Sequence, residues 1–137
     1  MIERKMEEMI RRRRPVAVAP DTPASEADRV MREKRIGAVL VTEGGKLCGI
    51  FTGRDALQML ADGRSGDVPL REVMTTDVWT MTTGQTATEA LRLMQDGGFR
   101  HVPVVNGGEL VGIVSWGDFR DAEHDRIDTE IALWERI

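Results

Sequence analysis

Two short stretches of the chain place a hydroxyl group and a carboxylate at a fixed spacing. Residues 49–55 have the sequence GIFTGRD, and residues 112–118 have the sequence GIVSWGD. Each apolar run predicts a buried strand that ends where a helical pattern begins. The hydroxyl then falls at a helix N-terminus, where backbone N–H groups and the helix dipole favour an anion such as phosphate. The aspartate three residues on is an acceptor-only carboxylate, which suits a ribose diol.

The same residues also have a simpler interpretation as helix caps. Thr52 and Ser115 are of the type that accepts a hydrogen bond from the first helical turn, and Asp55 and Asp118 complement the helix dipole. Each stretch taken singly favours the cap, whereas the repetition of the whole pattern favours a shared binding function. The glycines at 49 and 112 likewise predict either a close backbone approach or ordinary strand packing.

The two stretches belong to an internal repeat. A shift of 63 positions aligns residues 6–57 with residues 69–120 without a gap, and about a third of residues 15–55 are identical to their counterparts. Each copy predicts a strand, a helix, two strands joined by a Gly-Gly turn, and a helix. We therefore expect an α/β (α+β) fold of two β-α-β-β-α units, each with a small mixed sheet whose open face needs the other unit.

The order of the predicted elements defines the domain organisation. Repeat 1 covers 1–62 and includes an N-terminal helix at 2–10; a Gly- and Pro-containing linker covers 63–69; repeat 2 covers 70–122; and a helical tail covers 123–137. The predicted strands are 15–19, 37–42, 47–52, 78–81, 100–105 and 109–115, and the predicted helices within the repeats are 24–35, 53–60, 86–95 and one starting near Trp116. Ile127, Ile131 and Trp134 form an apolar seam on the tail, which fits either the chain's own body or a second subunit.

Composition limits the class of protein. The chain has 137 residues and a net charge of −4, with 31% of its residues charged, which is typical of a cytoplasmic protein and disfavours nucleic acid as a partner. The run from Arg11 to Arg14 is either an anion or nucleic-acid patch or a solvated helix end. Cys48 is the only cysteine and is predicted as a core residue. No apolar run approaches the roughly 18 residues of a membrane span, so no membrane association is expected.

Catalytic groups are not evident in the sequence. His101 and His124 are the only histidines. Neither has a second metal-ligating residue at a suitable spacing, and neither forms an evident pair with a nucleophile. We therefore expect a protein that is not an enzyme and requires no cofactor or metal.

The doubled Gly-apolar-x-Thr/Ser-x-x-Asp pattern, together with residues 100–105, with the sequence RHVPVV, resembles the CBS (cystathionine-β-synthase) domain family. The resemblance covers nearly the whole chain as a tandem pair, often called a Bateman module. It implies two repeats packed sheet-to-sheet in pseudo-twofold symmetry, with an adenosine nucleotide in the cleft between them. The second copy has the family's apolar-Pro-apolar triplet, with Pro103 at its centre. The first copy departs from it, because Leu40 stands where the proline would be.

The resemblance also implies a role for particular residues. Asp55 and Asp118 would accept the ribose hydroxyls, and Thr52 and Ser115 would donate to phosphate. Adenine would meet backbone groups near the first strand and the proline strand of the second copy, at Val78, Thr80, Val102 and Pro103. The copies also differ in the groups that could meet a phosphate, which would be either Arg54 or the pair Arg100 and His101. Arg100 and His101 are equally consistent with surface residues that flank a strand. Trp116 would either stack on a ligand or pack in the interface between the two units.

The implied function is a non-catalytic regulatory module that binds AMP, ADP or ATP and signals to an effector protein, with a face-to-face homodimer as the expected assembly. The alternative is a protein-interaction or dimerisation scaffold with weak or no nucleotide binding.

Overall fold

The computed structural model describes residues 3–10 and 14–135, and the side chains up to residue 129. Across this part of the chain there are five α-helices and six strands in two three-stranded sheets, which confirms the predicted α+β fold. Residues 11–13, which make up most of the arginine run, and residues 136–137 lie outside the described residues.

The bounds of the elements follow the internal repeat. In chain order they are α1 (Met6–Met9), β1 (Ala17–Val18), α2 (Ala24–Lys34), β2 (Ala38–Glu43), β3 (Lys46–Thr52), α3 (Gly53–Ala61), β4 (Met81–Thr82), α4 (Ala87–Gly97), β5 (His101–Asn106), β6 (Glu109–Ser115) and α5 (Asp121–Glu135). Short 3₁₀ turns lie at Leu70–Glu72 and Trp116–Asp118. None of the helices in the described range is long and apolar enough to span a bilayer.

The first sheet has the order β1-β2-β3 and belongs to a unit formed by residues 15–78. β1 runs parallel to β2, and β2 runs antiparallel to β3. Gly44 and Gly45 both adopt positive φ in the hairpin turn, as the Gly-Gly pair predicts. The core of this unit combines residues of α2, α3, the sheet and the 3₁₀ turn that begins at Leu70: Ala24, Ala27, Met31, Val39, Val41, Phe51, Met59 and Leu70.

The second sheet has the order β4-β5-β6, with β4 parallel to β5. The sequence predicts a strand at 78–81, but β4 begins only at Met81. In the first sheet the Leu40 N–H donates to the Val16 carbonyl at 2.9 Å. The residue that corresponds to Leu40 is Pro103, which has no N–H to give to Trp79, the counterpart of Val16. The parallel ladder therefore starts one residue later in the second copy.

The N-terminal helix α1 packs with the second copy, whereas the sequence assigned it to the first. Met6 is fully buried in the core that contains Met81, Leu91 and Val104. The Met6 N–H donates to the Gln85 carbonyl at 2.8 Å. An amphipathic helix shows in sequence that it needs a partner surface, but it does not show which surface, so the repeat boundary alone could not place it.

Helix α5 also packs on the second copy. Ile127 is 2% exposed and belongs to the same core as Met6, so this part of the tail covers the chain's own body. The rest of the predicted seam, Ile131 and Trp134, lies outside the described side chains. The helix predicted near Trp116 is a 3₁₀ turn, and α5 starts at Asp121.

The placement of α1 predicts the effect of a core substitution. Met6→Ala should lower the free energy of unfolding by about 2–5 kcal/mol, because a fully buried side chain is replaced by a cavity. Urea unfolding followed by tryptophan fluorescence measures this change, since Trp79 and Trp116 lie in the same unit as Met6. Glu7→Ala, an exposed position on the same helix, is the control and should stay within about 0.5 kcal/mol of the parent. Equal effects of the two variants would contradict this packing.

Candidate functional site

The first strand-to-helix corner is closed by a capping box. β3 ends at Thr52, whose extended backbone (φ −119°, ψ 171°) turns the chain into α3. The Thr52 N–H donates to Asp55 Oδ2 at 2.8 Å, and the Asp55 N–H donates back to Thr52 Oγ1 at 3.4 Å. The Thr52 hydroxyl also donates to Asp55 Oδ2, at 3.1 Å. The helix-cap interpretation of these residues is therefore correct.

The second corner repeats this arrangement. Ser115 has nearly the same backbone angles (φ −118°, ψ 162°), and its N–H donates to Asp118 Oδ2 at 2.7 Å within a capping box. The Trp116 N–H donates to the Arg100 carbonyl at 2.9 Å, as the Gly53 N–H does to the Gly37 carbonyl at 3.3 Å. The 63-residue repeat thus extends to individual hydrogen bonds.

These bonds change the chemistry available at the corners. An open helix N-terminus offers unpaired N–H groups to an anion. At the first corner the N–H groups of Thr52, Gly53 and Asp55 donate within the chain, and the Thr52 hydroxyl has an internal acceptor. At the second corner the same holds for the N–H groups of Ser115 and Trp116. A phosphate would therefore depend on side-chain cations more than on the backbone of the corner.

Gly49 and Gly112, the glycines of the repeated motif, each lie in close contact with another segment of the chain. A Cβ on Gly49 would lie 2.7 Å from Met74 Sδ and 2.8 Å from the Thr75 carbonyl oxygen. A Cβ on Gly112 would lie 2.6 Å from Cγ2 of Ile10. Distances this short exclude any side chain at either position unless the neighbour moves. The close approach that the glycines predict is present, and a segment of the same unit occupies it in each copy.

Thr75 is a neighbour of the first corner that the sequence did not indicate. Its hydroxyl donates to Asp55 Oδ1 at 3.0 Å, on the carboxylate oxygen that the capping box does not use. Its backbone pairs with Ile50 through two hydrogen bonds of 2.9 Å. No motif or periodicity marks Thr75, because the contact joins residues 20 positions apart.

Arg4 and Glu123 form a second unanticipated feature, beside Asp118. Arg4 Nε donates to Glu123 Oε2 at 3.0 Å, and Arg4 Nη2 donates to the Asp118 carbonyl at 3.3 Å. Burial alone would raise the pKa of Glu123, but the hydrogen bonds from Arg4 and from the Arg120 N–H lower it below its ordinary value. The hydrogen bond to Glu123 raises the pKa of Arg4. This pair ties the N-terminal segment to the turn that carries Asp118.

The residues around Trp116 form a packed cluster. The Arg100 guanidinium lies 5.6 Å from the Trp116 ring centroid, within cation–π range. The Trp116 ring lies 4.7 Å from the ring of His124 on α5. Both of these contacts lie within the unit that contains Trp116, and the two roles that the sequence left open for this residue stay predictions. Burial lowers the pKa of His101, and the Asp118 carboxylate offsets part of that effect.

The residues expected near adenine differ in exposure. Val102 and Pro103 are buried in β5, Val78 is half-buried, and Thr80 is exposed. Thr80 lines a surface cavity of about 310 Å³ between the start of β4 and α4, with Trp79, Met81, Glu89, Arg92 and Leu93 among its walls. This cavity does not include Ser115 or Asp118, so it is separate from the second corner. Arg54 is exposed in the first turn of α3.

Among the described side chains, which run from 3 to 10 and from 14 to 129, no group of three or more His, Cys, Asp or Glu could hold a metal ion. Each corner can offer a fixed carboxylate acceptor to a ligand with hydroxyl donors.

Comparison with known proteins identifies close relatives. The family model of the CBS domain matches residues 7–62 and 70–125. CBS domain-containing protein YhcV of Bacillus subtilis is 38% identical over 102 residues, which cover 74% of this chain and 73% of that protein. The structure of the CBS-domain containing protein ATU1752 from Agrobacterium tumefaciens is 34% identical, with a TM-score of 0.79 and coverage of 84% and 95% of the two chains. The CBS domain protein PAE2072 from Pyrobaculum aerophilum, solved in complex with AMP, is 25% identical, with a TM-score of 0.83 and coverage of 92% and 99%.

The Arg4–Glu123 pair predicts a pH-dependent contribution to stability. Glu123→Gln should lower the free energy of unfolding at pH 7 by about 1–3 kcal/mol, because it removes hydrogen bonds to a charged, largely buried carboxylate. The pKa of folded Glu123 lies below the ordinary 4.5, so the contribution is fully present above that pH and is lost as the pH falls through the lowered value.

Urea unfolding at pH 7 and at pH 3 measures this effect. The difference between the parent and Glu123→Gln should shrink at the lower pH. Glu26→Gln removes an exposed ion pair with Arg29 and should change stability by less than about 1 kcal/mol at either pH. A Glu123→Gln difference that stays the same at both pH values would show that the charge of the pair contributes nothing.

Proposed function

The chain belongs to the CBS domain family, and on that premise we propose that it is a regulatory module that binds an adenosine-containing nucleotide, of the AMP, ADP or ATP type, at its Asp-bearing corners. The observation that carries the proposal is the doubled corner, in which a capping box fixes Asp55 or Asp118 before any ligand arrives. A carboxylate held in one orientation loses little conformational entropy when it accepts ribose hydroxyls. The complex of a relative with AMP supports this ligand class.

The phosphate contacts are assigned to side chains because several corner N–H groups, those of Thr52, Gly53 and Asp55 and those of Ser115 and Trp116, already have acceptors. Arg54 is exposed beside the first corner, and Arg100 is exposed beside the second. Arginine suits phosphate because its planar donors bind in pairs and it keeps its charge at all physiological pH values. Burial lowers the pKa of His101 and so favours its neutral imidazole, which we assign to the site as a hydrogen-bonding group. We continue to assign the adenine contacts to backbone groups at Val78, Thr80, Val102 and Pro103.

The regulatory part of the proposal requires a protein partner. We assign to this role an effector protein and a second copy of the chain in a homodimer, both in the cytoplasm. Leu57 and Leu60 support a protein contact, because they are 68% and 78% exposed on α3. Large apolar side chains placed together at a surface are a feature of interaction sites. Nucleotide binding acts on the partner only to the extent that the two states of the module bind it with different free energies.

A scaffold with weak nucleotide affinity is the second candidate. It is favoured by the internal hydrogen bonds of both corners, which explain Thr52, Asp55, Ser115 and Asp118 without any ligand. A thermal-shift panel with AMP, ADP, ATP, NAD and S-adenosylmethionine separates the two functions. A ligand at a hundred times its dissociation constant should stabilise the protein by about 2.7 kcal/mol. A folded protein that responds to none of them at millimolar concentration is a scaffold.

Asp118→Asn should weaken AMP binding about 10- to 150-fold at the second corner, which is the effect of losing hydrogen bonds to a charged acceptor. The amide oxygen of asparagine can still accept from the Ser115 N–H, so the cap and the fold should be retained. Isothermal titration calorimetry measures the affinity, and thermal unfolding checks the fold.

Asp121→Asn is the matched control, because it makes the same chemical change at an exposed position three residues away. It should bind AMP as the parent does. If Asp118→Asn also retains the parent's affinity, the ribose does not bind at Asp118.

A further inference from the structure

We infer that the Thr75 hydroxyl competes with a ligand for the Asp55 carboxylate, so that the first corner binds nucleotide more weakly than Asp55 alone would allow. The inference rests on the proposed function and extends it to a residue outside the repeated motif. It begins from one contact: Thr75 Oγ1 donates to Asp55 Oδ1 at 3.0 Å.

The acceptor capacity of Asp55 is nearly filled within the protein. A carboxylate has about four acceptor positions, two on each oxygen. Oδ2 receives the Thr52 N–H at 2.8 Å and the Thr52 hydroxyl at 3.1 Å. Oδ1 receives the Thr75 hydroxyl. One position therefore remains for a ribose diol, which has two hydroxyl donors, and the second donor requires that a protein donor leaves.

Thr75 is the donor that can leave at the lowest cost. The Thr52 N–H and hydroxyl belong to the capping box, so their loss would also weaken the start of α3. The Thr75 hydroxyl is exposed and can turn to water by rotation about its χ1 torsion. Its release costs only the small net free energy of one solvent-accessible hydrogen bond.

The backbone holds Thr75 at this position whatever its side chain does. Two hydrogen bonds of 2.9 Å join Thr75 to Ile50, and the absence of a side chain at Gly49 lets the 74–75 segment pass directly over the strand. The competing hydroxyl is therefore always next to Asp55 Oδ1 at high effective concentration. A substitution that removes only the hydroxyl should leave this backbone pairing intact.

The test uses Thr75→Val, which replaces the hydroxyl by a methyl group of similar size, in the full-length chain. Asp118→Asn is added to both the test protein and its parent, so that AMP binding reports mainly the first corner. Isothermal titration calorimetry with AMP should show affinity about two- to tenfold tighter in the Thr75→Val protein, which corresponds to the small net value of one solvent-exposed hydrogen bond. Thr75→Ser, which returns a hydroxyl, should reverse the gain.

Thr76→Val is the control for a general effect of the segment, because Thr76 is the exposed neighbour of Thr75, and it should leave AMP affinity unchanged. If Thr75→Val binds AMP no more tightly than its parent, or binds below detection while the wild type binds, the hydroxyl does not compete and the inference is overturned. If the wild type itself binds no AMP, the proposed function has failed and the inference fails with it. The two failures are therefore distinguished by the wild-type titration.

Discussion

The reciprocal hydrogen bonding between a hydroxyl residue and the aspartate three positions on is the interaction on which both copies depend. It ends the third strand of each copy, starts the following turn and fixes the carboxylate of Asp55 or Asp118. The cap and the ligand acceptor are thus compatible functions of the same residues. The box uses Oδ2 at both corners, and it orients the whole carboxylate. A structural role worth about 1 kcal/mol therefore prepares the group that we assign to ribose.

A second constraint is that each copy covers its third strand with a segment that precedes a first strand. Met74 and Thr75 precede β4 and pass over Gly49, and Ile10 precedes β1 and contacts Gly112. A side chain at either place would overlap these atoms unless the neighbouring residue moved, and at Gly49 the overlap includes the backbone oxygen of Thr75. Packing of the chain on itself therefore explains the glycine of the repeated pattern. It would be retained in a scaffold as well as in a nucleotide sensor, so it does not distinguish the two functions.

The duplication made much of this structure predictable. The repeat predicted the order of the strands, the Gly-Gly turns and the two corners, because local patterns determine each of them, whereas the helix predicted near Trp116 is a 3₁₀ turn. The contacts of Thr75 with Asp55 and of Arg4 with Glu123 could not be predicted, since they join distant residues and follow no periodicity. The late start of β4 had a visible signal in Pro103, whose missing N–H shortens the ladder. The partner of α1 had none, because an apolar face does not specify the surface that it covers.

The differences between the copies bear on how a duplicated binding unit specialises. At the first corner a neutral hydroxyl from Thr75 donates to the carboxylate. At the second corner Arg4 contacts the carbonyl of Asp118, but its charge is largely balanced by Glu123, so it stabilises the turn without adding a net cation. Arg100 is exposed, and its guanidinium lies 5.6 Å from the Trp116 ring centroid, within cation–π range. The two copies thus share a carboxylate that a capping box fixes, and they differ in the side chains placed around it.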